Sequence, residues 1–216
     1  MRVVDPVLSR IEPNGRARGL VLILHGGQES STEPVLRRHG SWSRMALLQY
    51  TLAVRLRGRG VAVWLLRNRV RGWNERPDRD PAPVHDACFA LAVVRATRPG
   101  LPVVLVGHSM GGRTACVVAA DHAVVGVCAL APWLPPGSPV GPLAGKVLVV
   151  AHGSADQHTS PEASRAFVTR CRSAGTLATY IEVSGGGHAL LRRLRSWNRV
   201  VAETCTTLLR LDEAGR

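Results

Sequence analysis

The stretch "VVLVGHSMGGRT", residues 103–114, admits two readings. As G-x-S-x-G it sets Ser109 on a sharp turn between a strand and a helix. As G-x-x-x-x-G-R-T, from Gly107 to Thr114, it is one residue short of a phosphate-binding loop. That loop requires a lysine at position 113, whose ammonium reaches the β and γ phosphates. Arg113 is not an equivalent substitute. The loop also requires a later strand that ends in a magnesium-binding carboxylate, and no strand-like run here ends directly in Asp. The turn reading requires small neighbours, because a side chain two residues before or after the serine would strike the adjacent strand or helix. Gly107 and Gly111 occupy those positions, and Gly112 adds clearance.

Working outward, strand-like runs recur at 19–27, 60–68, 101–109, 123–133, 145–153 and 177–186, with a short edge strand at 7–13. They are mostly apolar, as parallel strands covered on both faces should be. Helical patterns lie between them at 41–60, 83–100, 110–121 and 160–175, and one or two helices follow over 189–211. Alternation of this kind implies one α/β domain over 1–216, with a mostly parallel sheet flanked by helices. In such sheets chemistry gathers at the carboxyl ends of the strands.

A serine hydroxyl needs a general base, and the base needs an orienting carboxylate. In this fold class they follow the serine in the order acid, then histidine. "AHGSADQHTSP" places Asp156 after the strand 147–151, and "SGGGHALL" places His188 after the strand 178–183. His158 is a rival base on the acid's own loop, and Glu182 is the fallback acid. His108 and His152 flank the site as supporting residues, while His39, His85 and His122 read as surface or core. The attack creates an oxyanion that needs preplaced donors. The Met110 amide follows the nucleophile, and "HGGQESS" after the strand 20–24 supplies Gly27 as the second, with Gln28 as the neighbour that fixes the loop. Arg113 falls on the supporting helix and is expected to be solvated.

With "HGG", "GHSMGG", "AHGSAD" and "GGGH" in this order, the sequence resembles the α/β-hydrolase superfamily over nearly the whole chain. In that family these motifs carry the oxyanion loop, nucleophile, acid and base. Only "PWLPPGSPVGPLAG" (132–145) stands where many members insert a cap, and it is too short and too rich in proline for a helical one. The resemblance is therefore to the capless branch, such as dienelactone hydrolases and small carboxylesterases, with an open site. It implies a Ser-His-Asp hydrolase acting on small or medium esters or thioesters through an acyl-enzyme. It implies no metal and no cofactor. A thioesterase or acyltransferase of a biosynthetic pathway is the alternative within the class, and a non-catalytic ligand-binding protein is the alternative outside it. Candidate pocket residues are Gln28, His108, Trp133, Trp73 and Arg71. Trp133 is either packing or substrate contact, and Arg71 either recognises a carboxylate or is a solvated loop residue. Trp42 reads as packing.

The bulk composition narrows the partners. The chain of 216 residues carries a formal charge of +13, and only Lys146 among its 28 basic residues is a lysine. A nucleic-acid reading needs a reading element as well as charge, and no zinc-finger spacing, aromatic RNA-binding signature or basic zipper is present. The arginines read as a solvated surface or as a positive field toward anions, densest at 55–73 and 191–199. Five cysteines, with no pair close in sequence, read as reduced thiols of a cytoplasmic protein. The longest apolar region, 115–131, is broken by Asp121 and His122 and is not a membrane span. The oligomeric state and natural substrate are not legible.

Overall fold

A computed structural model of the chain describes residues 5–76 and 78–211. Seven strands form one sheet: β1 (Val7–Ile11), β2 (Gly19–Leu24), β3 (Val61–Arg67), β4 (Val103–His108), β5 (Val124–Leu130), β6 (Val147–Gly153) and β7 (Leu177–Val183). Their order is β1-β3-β2-β4-β5-β6-β7. Among these described strands only the β1–β3 pairing is antiparallel. Five helices connect or follow the strands: α1 (Gly40–Arg55), α2 (Ala82–Thr97), α3 (Met110–Val117), α4 (Pro161–Ser173) and α5 (Leu194–Leu208).

The period of two along each strand sorts the core into two layers. Leu20, Leu22 and Leu24 of β2, with Leu105 of β4, pack under Ala87 and Leu91 of α2, Ala115 of α3 and Phe167 of α4. Val21, Ile23, Val104 and Val106 face the other way, under Met45 and Leu48 of α1 and Trp197 and Val201 of α5. Every residue of β2 and β4 is buried, which explains their uninterrupted apolar runs. These two strands lie at the centre of the sheet and end beside one another at Leu24 and Gly107. The loops after them are therefore neighbours.

One boundary differs from the sequence pattern. The helical reading of 189–211 begins only at Leu194, because Leu190 and Arg193 adopt left-handed backbone (φ 58° and 65°) that no helix accommodates. As the short, proline-rich 132–145 segment leads one to expect, only a three-residue 3-10 turn, Gly141–Leu143, lies between β5 and β6, and among the described residues no helical cap is inserted there.

Candidate active site

Ser109 sits between β4 and α3 with φ 55° and ψ −117°. A non-glycine residue in that region is strained and persists only where its surroundings fix it. The fixing contacts are backbone atoms and one proline ring. A Cβ on Gly107 would stand 2.2 Å from the Gly111 carbonyl oxygen, and one on Gly111 would stand 2.2 Å from the Leu24 carbonyl oxygen. One on Gly112 would meet Pro132 Cβ at 2.8 Å. Ser109 N–H donates to the Leu130 carbonyl at 3.0 Å, and the Ser109 carbonyl accepts from Trp133 N–H at 3.1 Å. The elbow is thus pinned to both neighbouring strand ends.

Two further loops reach the serine. The His188 Nδ1–H donates to Asp156 Oδ2 at 2.8 Å, which leaves Nε2 to accept the Ser109 hydroxyl at 3.1 Å. The Asp156 side chain is wholly covered. Burial pushes this carboxyl up, but the amides of His158 and Thr159 and the bond to His188 outweigh it and hold it down at about 2. Those amides donate to Oδ1 at 2.8 and 3.1 Å. Oδ1 serves the loop and Oδ2 serves the imidazole.

His152 also bonds Oδ2, through Nε2–H at 3.1 Å, while its Nδ1 accepts from the Ser164 hydroxyl at 2.8 Å. Burial lowers this ring's pKa and favours its neutral form. Its partners therefore make it a second histidine on the same carboxylate, tied to α4 through Ser164. Thr159 was not singled out by the sequence. Its Oγ1 lies 3.0 Å from Asp156 Oδ2, 3.1 Å from His188 Nδ1 and 3.2 Å from the Ala131 carbonyl, which it bridges. The available signal was "DQHT", an Asp followed by the polar spacing of an Asx turn. Of the two rivals, His158 stacks on His188 with centroids 5.2 Å apart, and Glu182 is paired with Arg165.

His108 lies beneath His188 as a buried support. Its Nε2–H donates to the His188 carbonyl at 2.8 Å, and burial holds the ring down at about 3. His25, which the sequence reading left without a role, closes the other side. Its Nδ1 donates to the Gly26 carbonyl at 2.6 Å and its Nε2 accepts from the Asn68 amide at 3.1 Å. Burial holds it at about 4. It ties the loop after β2 to the end of β3.

In that loop the Gln28 amide is committed to the Arg71 carbonyl at 2.8 Å, and Trp73 N–H donates back to the Gln28 carbonyl at 2.8 Å. Gly27 is pressed between the Arg71 carbonyl and the Met110 side chain; a Cβ there would stand 2.3 Å from the first and 2.4 Å from the second. The loop after β2 and the first residue of α3 are therefore in direct contact beside Ser109. The Arg71 guanidinium is engaged by Glu33 at 2.5 Å.

Arg113 corrects the sequence reading: it is buried, not solvated. Its guanidinium lies 4.0 Å from the Trp73 ring and 4.7 Å from the Trp133 ring, and it pairs with Glu75 at 3.3 Å. Trp73 and Trp133 meet edge to face at 6.1 Å. A cation between two aromatic faces staples the loops after β3 and β5. Trp73 is buried and Trp133 half-buried. Two large clefts, of about 720 and 1100 Å³, contain none of Ser109, Asp156 and His188. Among the described residues, no group of three His, Cys, Asp or Glu converges to hold a metal ion, and no helix is long and apolar enough to cross a membrane.

The model of the alpha/beta hydrolase family matches residues 21–145, more than half of the chain. The chain belongs to the alpha/beta hydrolase family. Solved structures agree on the fold. An alpha-beta serine hydrolase homologue from Coxiella burnetii is 17% identical, with a TM-score of 0.68, over 92% of this chain and 91% of that one. An a/b serine hydrolase without lid from Xanthomonas campestris is 18% identical, with a TM-score of 0.65, over 95% and 88%. A monoacylglycerol lipase from Paleococcus ferrophilus is 19% identical, with a TM-score of 0.62, over 95% and 99%. A search of curated protein sequences finds no match.

Proposed function

We propose that the chain, acting as one domain, is a serine hydrolase that cleaves carboxylic ester or thioester bonds of small to medium substrates. The observation that carries this reading is the relay from Ser109 Oγ to His188 Nε2 (3.1 Å) and from His188 Nδ1 to Asp156 Oδ2 (2.8 Å), built from three separate strand-end loops. The family, and the two serine hydrolases and the lipase among its structural neighbours, support it.

In this mechanism His188 takes the hydroxyl proton as Ser109 attacks the carbonyl carbon. The Gly27 and Met110 amides stabilise the oxyanion, and the N-terminus of α3 adds a favourable field. The intermediate collapses as His188 returns the proton to the leaving alcohol or thiol, leaving acyl-Ser109. A water deprotonated by His188 then releases the acid. Asp156 keeps the imidazole in the required tautomer and stabilises its protonated form. Thr159, His152 and the two loop amides keep Asp156 itself in place.

The uncapped edge suits accessible substrates, with Trp133 at its rim. The test is a chain-length series of p-nitrophenyl esters run beside acyl thioesters. A burst of nitrophenol equal to the enzyme concentration, absent in Ser109→Ala, is the expected result. Hydrolysis that persists in Ser109→Ala would overturn the reading.

A further inference from the structure

The arginine-rich stretches 55–73 and 191–199 contribute no group to the Ser109 relay. Parts of both meet on one face, where α1 and α5 cover the same side of the sheet. α1 turns Met45, Leu48 and Leu52 inward. Its outer side carries a second apolar stripe, Leu47, Tyr50 and Val54, at spacings of three and four. Leu191 and Leu194 stand at the start of α5, and together with Leu47 they line one narrow groove. These five side chains are between 39% and 64% exposed. Single exposed apolar residues are ordinary, whereas a cluster marks a surface that is covered in use. The backbone is also strained to present Leu191, since Leu190 and Arg193 on either side are both left-handed.

The surrounding charge is mostly positive. Residues 34–74 hold nine arginines, of which Arg69 and Arg71 pair with Asp86 and Glu33, residues 183–202 hold four, and neither span contains Asp or Glu. Arg44, Arg55, Arg192, Arg193, Arg195 and Arg199 lie on α1, α5 and the loop before α5. Among the described residues none of these six is in an ion pair. The nearest acid along α5 is Glu203, one turn past Arg199. A second copy docking through this face about a two-fold axis would set arginines against arginines. A nucleic acid would take the arginines but offers a polar, charged surface to the leucines. An anionic bilayer takes both.

We propose that the α1–α5 face docks on an anionic lipid bilayer, with Leu47, Tyr50, Val54, Leu191 and Leu194 in the headgroup boundary and the arginines on lipid phosphates. Ala189 and Leu190 directly follow His188, so the bilayer lies at the edge of the candidate active site on the side of the base.

The test is co-sedimentation of the full chain with vesicles of phosphatidylcholine alone and with added phosphatidylglycerol. Wild type and Ser109→Ala are run in parallel, so that docking and hydrolysis fail separately. The account predicts at least about tenfold more binding to the anionic vesicles, weakened by salt. Leu191→Ser with Leu194→Ser lowers that binding about tenfold, at an unchanged melting temperature. Arg192→Gln with Arg195→Gln lowers it too, while Arg170→Gln with Arg172→Gln on α4, which packs on the other face of the sheet, leaves it unchanged. No binding, equal binding to both vesicles, or binding indifferent to the leucines would overturn the proposal. Duplex DNA that outcompetes the vesicles for the leucine variant would reassign the face to nucleic acid.

Discussion

The elbow that carries Ser109 and the loop that carries His188 meet across a single 3.1 Å contact, yet they are held by different forces. The elbow is a steric construction. Backbone of β2, α3 and the loop after β5 closes on three glycines, and the serine is forced into φ 55° by packing. The base loop is a polar construction. His188 is fixed by Asp156 on its ring and by His108 on its carbonyl, and the Gly185 amide is fixed by the Ser154 hydroxyl at 2.8 Å. The lesson is that damage to the elbow should be all-or-none, and damage to the base loop graded and sensitive to pH.

Gly111→Ala should have the largest effect. Its Cβ would stand 2.2 Å from the Leu24 carbonyl oxygen, with no flexible side chain to yield. The expected outcome is loss of folded protein, or a melting temperature lower by well over 10 °C, read by thermal unfolding.

Within an intact elbow, Ser109→Ala or His188→Ala should lower kcat by roughly 10⁴–10⁶, and Asp156→Asn by less, about 10³–10⁴. Ser109→Gly should abolish turnover while raising stability by about 1 kcal/mol, because glycine accepts the left-handed backbone. A destabilised Ser109→Gly would show that the serine is not strained.

The acid limb sharpens the polar side. His25 and His108 are held neutral in the fold, at about 4 and about 3, whereas the unfolded chain protonates them near 6.5. The unfolded state therefore binds more protons below that pH, and stability falls as pH drops. By pH ~4 the expected loss is about 3 kcal/mol for each ring. The Asp156 contribution persists to lower pH and is lost only between about 3.8 and about 2. Denaturant midpoints from pH 7 to 4 check this, and a flat profile would contradict it. The smallest effect belongs to Thr159→Val, which should lower kcat about threefold to tenfold with little change in KM, since it removes one of several contacts that fix Asp156.

Most of the candidate site is legible in the sequence. Parallel strands end in loops, and the loops after β2, β4, β6 and β7 carry "HGG", "GHSMGG", "AHGSAD" and "GGGH" in a fixed order. Topology alone brings those ends together. What sequence could not supply was burial on the far side of each loop. Arg113 looks solvated as a lone arginine on a first helical turn, and becomes buried only because Trp73 and Trp133 arrive from two other loops. Besides their local bonds, Thr159 and His25 each act through a hydrogen bond to a partner 28 or more residues away, and no local period reports such pairings. The left-handed turns at Leu190 and Arg193 were hidden because neither residue type advertises them.

The central claim is that Ser109 is a nucleophile activated by His188. Its most direct test is labelling of the purified, folded protein with a fluorophosphonate, followed by mass analysis of the adduct. The account predicts stoichiometric modification at Ser109, lost in Ser109→Ala and slowed strongly in His188→Ala. Folded wild-type protein that stays unlabelled, or that is labelled elsewhere, would contradict it.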